Sequence, residues 1–272
     1  MLKTEFKLEY KIEESPIDGG VPVIVVAAGS STRMNGINKQ TAPLCGVPLI
    51  IRTLMRFERC GRISNIILVV RPDELFSMQQ LADRYHIGKL SDIVCGGESR
   101  QQSVKNGLER VPANAETVLI HDGARPFVTD EIICSVISAL GTHNAVTCAV
   151  KLKDTVKQVD KNGYVLSTPD RDTLVAVQTP QGVNVSDYRA ALEIAGNPGA
   201  FTDDMSVMEA AGHKPFIVPG SYENIKVTTP EDIALAEYLI LRMKKNENRS
   251  RLRCPPLCGK QAACYRRGGN TI

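Results

Sequence analysis

The stretch from Val23 to Gln40, VIVVAAGSSTRMNGINKQ, carries the first residues that could do chemistry. An apolar run leads directly into Ala27, Ala28, Gly29, Ser30, Ser31 and Thr32, and two cations, Arg33 and Lys39, follow. Side chains this small let successive backbone N–H groups approach an anion closely, and such groups form a concavity that suits phosphate. Arg33 and Lys39 could then neutralise charge that gathers on phosphorus during a transfer reaction. The bland alternative is a tight turn followed by two solvated cations, and on this stretch alone it would be preferred. Two common phosphate loops are excluded, because the stretch contains neither G-x-G-x-x-G nor G-x-x-x-x-G-K followed by Ser or Thr.

Three further stretches offer compatible groups. In CGGESRQQSV, Gly96 and Gly97 permit close backbone approach, and Ser103 could hydrogen-bond a base. In HDGARPF, Asp122 suits a ribose hydroxyl or a phosphate-bound Mg2+, while Arg125 could position that carboxylate or meet phosphate. His121 beside it reads as a buried, satisfied imidazole rather than a ligand. Lys226, in ENIKVTTPED, reads as the end of a late strand. Each has an ordinary reading as loop or surface charge, but all of them follow strands.

The elements that must position these groups are legible as an alternation. VPVIVVAA, NIILVV, SDIV, ETVLIHD and NAVTCAV read as strands. VPLIIRTLMRFERC, SRQQSVKNGLERV and TDEIICSVISAL read as helices between or after them, the last opened by Thr129 with acids in its first turn. Continuous apolar strands alternating with helices predict a parallel sheet covered on both faces. In such a sheet ligands bind beyond the carboxyl ends of the strands, where the four stretches above fall. The alternation breaks at Lys151 to Thr173, where DTVKQV, the turn DKNG and YVLST predict a hairpin with no core of its own. Helices resume in SDYRAALEIA and TDDMSVMEAAG. Strand-like KPFIVPG and NIKVT then precede a helix capped by Thr229, with Pro230 at its first position. Phe6, Leu8, Tyr10 and Ile12 alternate with charges, a strand period.

Composition bounds the function class. The chain has 272 residues, 43% hydrophobic and 23% charged, as in ordinary soluble proteins. No apolar run approaches the ~20 residues needed to cross a bilayer, so no membrane partner is expected. The first residues are charged throughout and lack a secretory apolar core, so a cytoplasmic protein is expected. Five of the eight cysteines are scattered singly among apolar segments and read as buried thiols. The other three, in CPPLCGKQAAC, lack the fourth ligand and the spacing of a zinc site. Eight of the 33 Lys and Arg, and one of the 30 Asp and Glu, lie from Lys244 onward, which leaves the body with 25 basic against 29 acidic residues. A mildly acidic body does not suggest a nucleic-acid partner. The expected organisation is an N-terminal extension over 1–20, one domain over 21–245 with an arm at about 151–173, and a basic, disordered tail over 246–272.

Taken together, AAGSSTRM, NKQ, HDGARPF, QTPQ, TDD and NIKVTTPED occur in an order and at separations that resemble the 2-C-methyl-D-erythritol 4-phosphate cytidylyltransferase family. The resemblance spans roughly Pro22 to Met243. It implies an α/β, Rossmann-like nucleotidyltransferase fold: a three-layer sandwich with a mostly parallel sheet and a protruding β-arm. It implies transfer of CMP from CTP to methylerythritol phosphate with release of pyrophosphate and with Mg2+, in a homodimer whose arms interlock and whose active sites are shared. By the same resemblance Arg33 and Lys39 stabilise the transition state, and Ala27, Ala28, Gly29 and Ser30 form the nucleotide loop. Gly97, Ser103, Asp122 and Gly123 would hold cytosine and ribose, Arg171 and Lys226 would position the methylerythritol phosphate, and Thr155 and Thr179 would add substrate contacts. The chemistry agrees, since the substrate phosphate is already an anionic nucleophile and needs placement and charge neutralisation more than a base.

Ser31 departs from the family's usual second loop glycine, and Gly123 stands where alanine is common, a change expected to be harmless. Two other functions could use such a fold. A ribitol 5-phosphate cytidylyltransferase would share the fold, but Ala27-Ala28-Gly29 and Gly123 favour methylerythritol phosphate. A non-catalytic nucleotide-binding protein would be expected to lack Arg33, Lys39 or Arg171, and all three are present.

Overall fold

The computed structural model describes residues 20–29, 39–196 and 201–253, with side chains as far as Lys245. Ser30, Ser31 and Arg33, the alternating segment from Phe6 to Ile12 and the tail cysteines lie outside the described residues.

Seven strands form the central sheet. They are β1 (Val21–Val26), β4 (Ile63–Val70), β5 (Leu90–Cys95), β6 (Thr117–Asp122), β7 (Ala145–Lys151), β10 (Val175–Asn184) and β11 (Phe216–Pro219). Their order is β11-β7-β10-β6-β1-β4-β5. All neighbours run parallel except at β10, which is antiparallel to both β6 and β7. The sheet is therefore mostly parallel, with one reversed strand between two parallel blocks. Val23, Ile24 and Val25 of β1 are wholly buried, as a central strand covered on both faces requires.

Helices cover the two faces. On one lie α1 (Leu49–Arg59), α2 (Leu75–Arg84) and α4 (Asp130–Leu140), whose side chains join those of β1 and β4 in the larger core. On the other lie α3 (Arg100–Leu108), α5 (Val185–Ala195) and α6 (Asp204–Ala210), around Tyr188, Met205 and Met208. Ser99 caps α3 by accepting from Gln102 N, and Thr129, as the sequence suggests, caps α4 by accepting from Ile132 N. A third cluster unites Leu44, Leu49 and Phe127 with Val227, Ala236, Leu239 and Ile240. Leu44 closes the small pair β2 (Pro43–Leu44) and β3 (Val47–Pro48), and the last three residues belong to α7 (Pro230–Arg253).

The segment between β7 and β10 leaves the sheet as an arm. In it β8 (Gln158–Val159) pairs with β9 (Val165–Ser167) around the turn at Asp160, whose carboxylate accepts from Asn162 N and Tyr164 N, both at 2.9 Å.

Four sequence readings are corrected or completed. The NIKVT segment is not a strand: it is a loop anchored by Val227 N to Ala124 O at 2.9 Å. Helix α7 does not stop near Lys245 but continues to Arg253, so the expected boundary of the tail falls inside a helix. Helix α2 carries only two buried residues, Met78 and Ala82, too sparse a stripe to read from periodicity. Strand β10, for which the sequence reading gave no element, contains Gln178, Thr179, Pro180, Gln181 and Gly182, polar or turn-prone residues that their neighbours bury.

Candidate active site

The carboxyl ends of β1, β5 and β6 open onto one cavity of about 440 Å3. Ala28 and Gly29 line it after β1, Gly97, Ser99 and Arg100 between β5 and α3, and Asp122 at the end of β6. Lys39, in a short 3-10 turn, and Lys226, in the loop before α7, complete its charged wall. Parallel strands end side by side, so residues far apart in sequence meet at this edge.

Asp122 is the electrostatic centre. Its Oδ2 lies 2.9 Å from Lys226 Nζ and 3.4 Å from Arg125 Nε, and its Oδ1 lies 3.8 Å from Arg100 Nε. Burial alone would raise this carboxyl, but Lys226 foremost, then Arg100 and Arg125, hold it well below the usual carboxylate range. Arg125 also donates from Nη1 to Asn224 O at 2.8 Å. It is therefore spent on holding Asp122 and the Lys226 loop, and it does not line the cavity.

Beneath Asp122 runs a neutral relay. The Asp122 backbone N–H donates to Thr179 Oγ1 at 3.1 Å, and that hydroxyl lies 3.0 Å from His121 Nδ1. His121 Nε2 faces Arg125 O at 3.1 Å. A carbonyl only accepts, so Nε2 carries the proton and Nδ1 accepts from Thr179. Burial, against the pull of that carbonyl, lowers the imidazole to about 4. Thr179 is 5% exposed and sits under the site as a buttress. His121 is buried and satisfied, as its sequence context suggested.

The loop after β5 is fixed from inside. Ser103 Oγ accepts from Gly97 N at 3.1 Å and donates to Ser99 O at 2.9 Å, so its hydroxyl holds the loop's shape. A Cβ on Gly97 would stand 2.1 Å from Gln102 Cγ, so only glycine lets the loop fold against α3 here. A Cβ on Gly123 would meet Ile50 Cδ1 at 2.9 Å and Ala27 Cβ at 3.1 Å. An alanine at Gly123 would therefore need Ile50 and Ala27 to give way.

Arg171 and Thr155 are not part of this cavity wall. Both are exposed on the arm, where Arg171 opens a 3-10 turn and donates from Nη1 to Lys153 O at 2.7 Å. Ala27 is buried behind the loop it precedes.

Sequence reasoning missed Arg100 and Asp204. Arg100 Nη2 donates to Asp204 Oδ2 at 2.7 Å, and Asp204 is fully buried with Oδ1 accepting from Tyr188 OH at 2.6 Å. Burial opposes the charge of Arg100, but Asp204 and then Asp122 raise its pKa above the ordinary arginine value. The signal was present as an arginine beside Gly96-Gly97 and as the paired acids Asp203 and Asp204, but only the fold brings them together.

An open α/β sheet whose strand ends gather a small-residue loop, a glycine-fitted second loop, a buried carboxylate and several cations defines a nucleotidyltransferase. Its family is more specific. The model of the IspD family, 2-C-methyl-D-erythritol 4-phosphate cytidylyltransferase, matches residues 21–242. Proteins of that name from Geobacillus kaustophilus and Clostridium novyi are 47% and 42% identical over 220 and 227 residues. The first alignment covers 80% of this chain and 95% of that protein, the second 81% and 96%. Among solved structures, the 4-diphosphocytidyl-2C-methyl-D-erythritol synthase of Anaerococcus prevotii superposes with a TM-score of 0.73 at 33% identity, covering 82% of this chain and 96% of that one. The Francisella tularensis enzyme gives 0.65 at 30% identity, over 81% and 99%. The chain belongs to the 2-C-methyl-D-erythritol 4-phosphate cytidylyltransferase family.

Proposed function

We infer that this chain transfers the cytidylyl group of CTP to 2-C-methyl-D-erythritol 4-phosphate, releasing pyrophosphate and giving 4-diphosphocytidyl-2-C-methyl-D-erythritol. The observation that carries the reading is the cavity at the strand ends, where Lys39, Lys226 and Asp122 meet two close-approach loops. The triphosphate lies beside Ala28 and Gly29, and the nucleoside enters toward Gly97 and Asp122. The substrate phosphate attacks the α-phosphorus in line and pyrophosphate leaves opposite. Lys39, with Arg33 by the family resemblance, meets the charge that grows on phosphorus, and Lys226 steers the incoming phosphate. No proton need be taken from the nucleophile, which fits a site whose imidazole is buried and neutral.

Mg2+ fits this site mainly through the nucleotide. Among the described residues no three His, Cys, Asp or Glu come together to hold a metal, and the charge of Asp122 is already balanced by three cations. The triphosphate oxygens would therefore carry the ion, which when bound supplies charge neutralisation at the phosphates.

We further propose a homodimer in which the arm of one chain lends Arg171 and Thr155 to the site of the other. The arm supports this: Val159, Tyr164, Val165 and Leu166 are exposed on it, an apolar surface with nothing among the described residues to cover it. We also propose that the reaction runs in the cytoplasm, a reading that the free, buried thiols of Cys60 and Cys148 support. No described helix is long and apolar enough to cross a membrane.

The test is pyrophosphate release from CTP with methylerythritol phosphate or ribitol 5-phosphate supplied in turn. Release with the first and little with the second is expected. Release with ribitol 5-phosphate alone would overturn the assignment of substrate.

A further inference from the structure

Among the described residues, none from Leu152 to Leu174 is buried, so the arm has no core to hold its direction. It leaves the sheet where Lys151 of β7 pairs with Val175 of β10. At that root an aromatic side chain from the loop before α7 meets it. Tyr222 donates from its hydroxyl to Lys151 O at 2.7 Å, and the ammonium of Lys153 lies 3.9 Å from the centre of its ring. Arg171 supplies the next link, its Nη1 donating to Lys153 O at 2.7 Å. Thr155 stands two residues beyond Lys153. Tyr222 therefore grips the arm beside the residue to which Arg171 is tied and from which Thr155 extends.

The backbone beneath Tyr222 is braced on the sheet. Gly220 N donates to Ala149 O at 2.7 Å, Gln178 Nε2 to Ser221 O at 2.8 Å, and Asn224 Nδ2 to Thr179 O at 2.9 Å. Tyrosine suits a brace between a fixed loop and a coreless arm. Its ring is rigid, its face attracts an ammonium and its hydroxyl reaches a carbonyl. The side chain is 50% exposed, yet both its face and its tip are engaged on the arm. The same loop carries Lys226 into the cavity of its own chain.

We propose that Tyr222 is a positioning residue for the methylerythritol phosphate: it fixes the angle of the arm, and so the placement of Arg171 and Thr155 on that substrate. The proposal rests on the reading in which the arm of one chain serves the site of the other. It joins the two sites of the dimer through one side chain, because the loop that holds Lys226 for one site also holds the arm for the other.

The test measures kcat and KM by pyrophosphate release, varying methylerythritol phosphate and CTP in turn, with the sedimentation and melting temperature of each variant. Tyr222→Leu loses the hydrogen bond and the cation–π contact together. It should raise KM for methylerythritol phosphate about tenfold, while KM for CTP stays within about twofold. Tyr222→Phe keeps the ring and Lys153→Met keeps the hydroxyl bond, and each should raise the same KM about threefold. In an Arg171→Ala background, Tyr222→Leu should lower kcat/KM further by at most about threefold, since the main group it places is gone. An unchanged KM for methylerythritol phosphate in a folded Tyr222→Leu dimer, equal rises for both substrates, or a full tenfold further loss in the Arg171→Ala background would overturn the proposal. Dissociation of the Tyr222→Leu dimer would overturn it as well, since the tyrosine would then serve assembly. Should Tyr222→Leu not fold, Tyr222→Phe and Lys153→Met decide by the same split between the two KM values. A monomeric wild-type protein, or an Arg171→Ala variant as active as the wild type, would instead overturn the parent reading.

Discussion

At the scale of single residues, the site is a balance of one carboxylate against three cations, built over a neutral histidine. The buried His121 makes that balance sensitive to acid. Its folded value near 4 lies below the ordinary 6.5, so below pH 6.5 the unfolded chain binds a proton that the folded chain refuses. Stability therefore falls as pH drops from about 6.5 toward 4, by about 2 kcal/mol at pH 5. The ion pairs of Asp122 act in the same direction but at lower pH, since that carboxylate is held low. Their contribution is present above the unfolded carboxylate value and is lost only at still lower pH. Urea titrations at pH 7 and pH 5 should show a clear loss in the wild-type protein and a smaller one in His121→Gln, and equal losses would acquit the histidine. Gly123→Ala is expected to cost about 1–3 kcal/mol through overpacking against Ile50 and Ala27. Calorimetry should record this as a melting temperature lower by several degrees, and an unchanged midpoint would mean that Ile50 yields without cost.

At the scale of elements, positioning is done by ends rather than by middles. Strands β1, β5 and β6 stop together, and α3 begins where the β5 loop turns, so that Ser99 caps the helix while Ser103 holds the loop. Helix α7 serves from a distance. Ala236, Leu239 and Ile240 bury its inner face against Leu44, Leu49 and Phe127. At its start Asp232 Oδ2 accepts from Thr228 N at 2.7 Å and Thr229 N at 2.9 Å, and so anchors the loop that carries Lys226. Among the described residues, Met243 is the last of α7 to pack on the core, and removal of residues 254–272 should leave kcat/KM within about twofold of the intact chain. Removal of everything after Leu235 takes away the buried face and should leave an insoluble or inactive protein. A large loss of activity from the shorter deletion, in a chain with an unchanged melting temperature, would give the tail a role in the reaction.

At the scale of the whole molecule, the arm decides whether one chain suffices. Arg171 lies on the arm and Arg33 follows the main sheet, so a shared site predicts complementation. If Arg33→Ala and Arg171→Ala are each nearly inactive, a mixed dimer has one site with both defects and one with neither. Random re-pairing makes about half of the dimers mixed, so exchange of subunits should restore roughly a quarter of wild-type activity. Differential tags would confirm that mixed dimers formed. Their formation without recovered activity would mean that Arg171 serves its own chain.

The sequence by itself determined the alternation of strands and helices, because apolar runs and helical stripes are local patterns. It also determined the edge on which the ligand groups fall, since Gly29, Gly97 and Asp122 each follow a strand, and strand ends in such a sheet lie on one side. The arm was legible as a break in that pattern with a turn at DKNG. What only the tertiary structure decided depends on neighbours distant in sequence. Strand β10 is polar and carries Pro180 and Gly182, and it becomes a central strand only because β6 and β7 bury it on either side. Thr179 reads as a substrate contact until that pairing sets it under Asp122. Asp204 reads as the first turn of a short helix until Arg100, more than one hundred residues earlier, meets it across the sheet edge. A buried charge is stable only with its partner, and the partner is chosen by the fold, so no local pattern could have announced the pair.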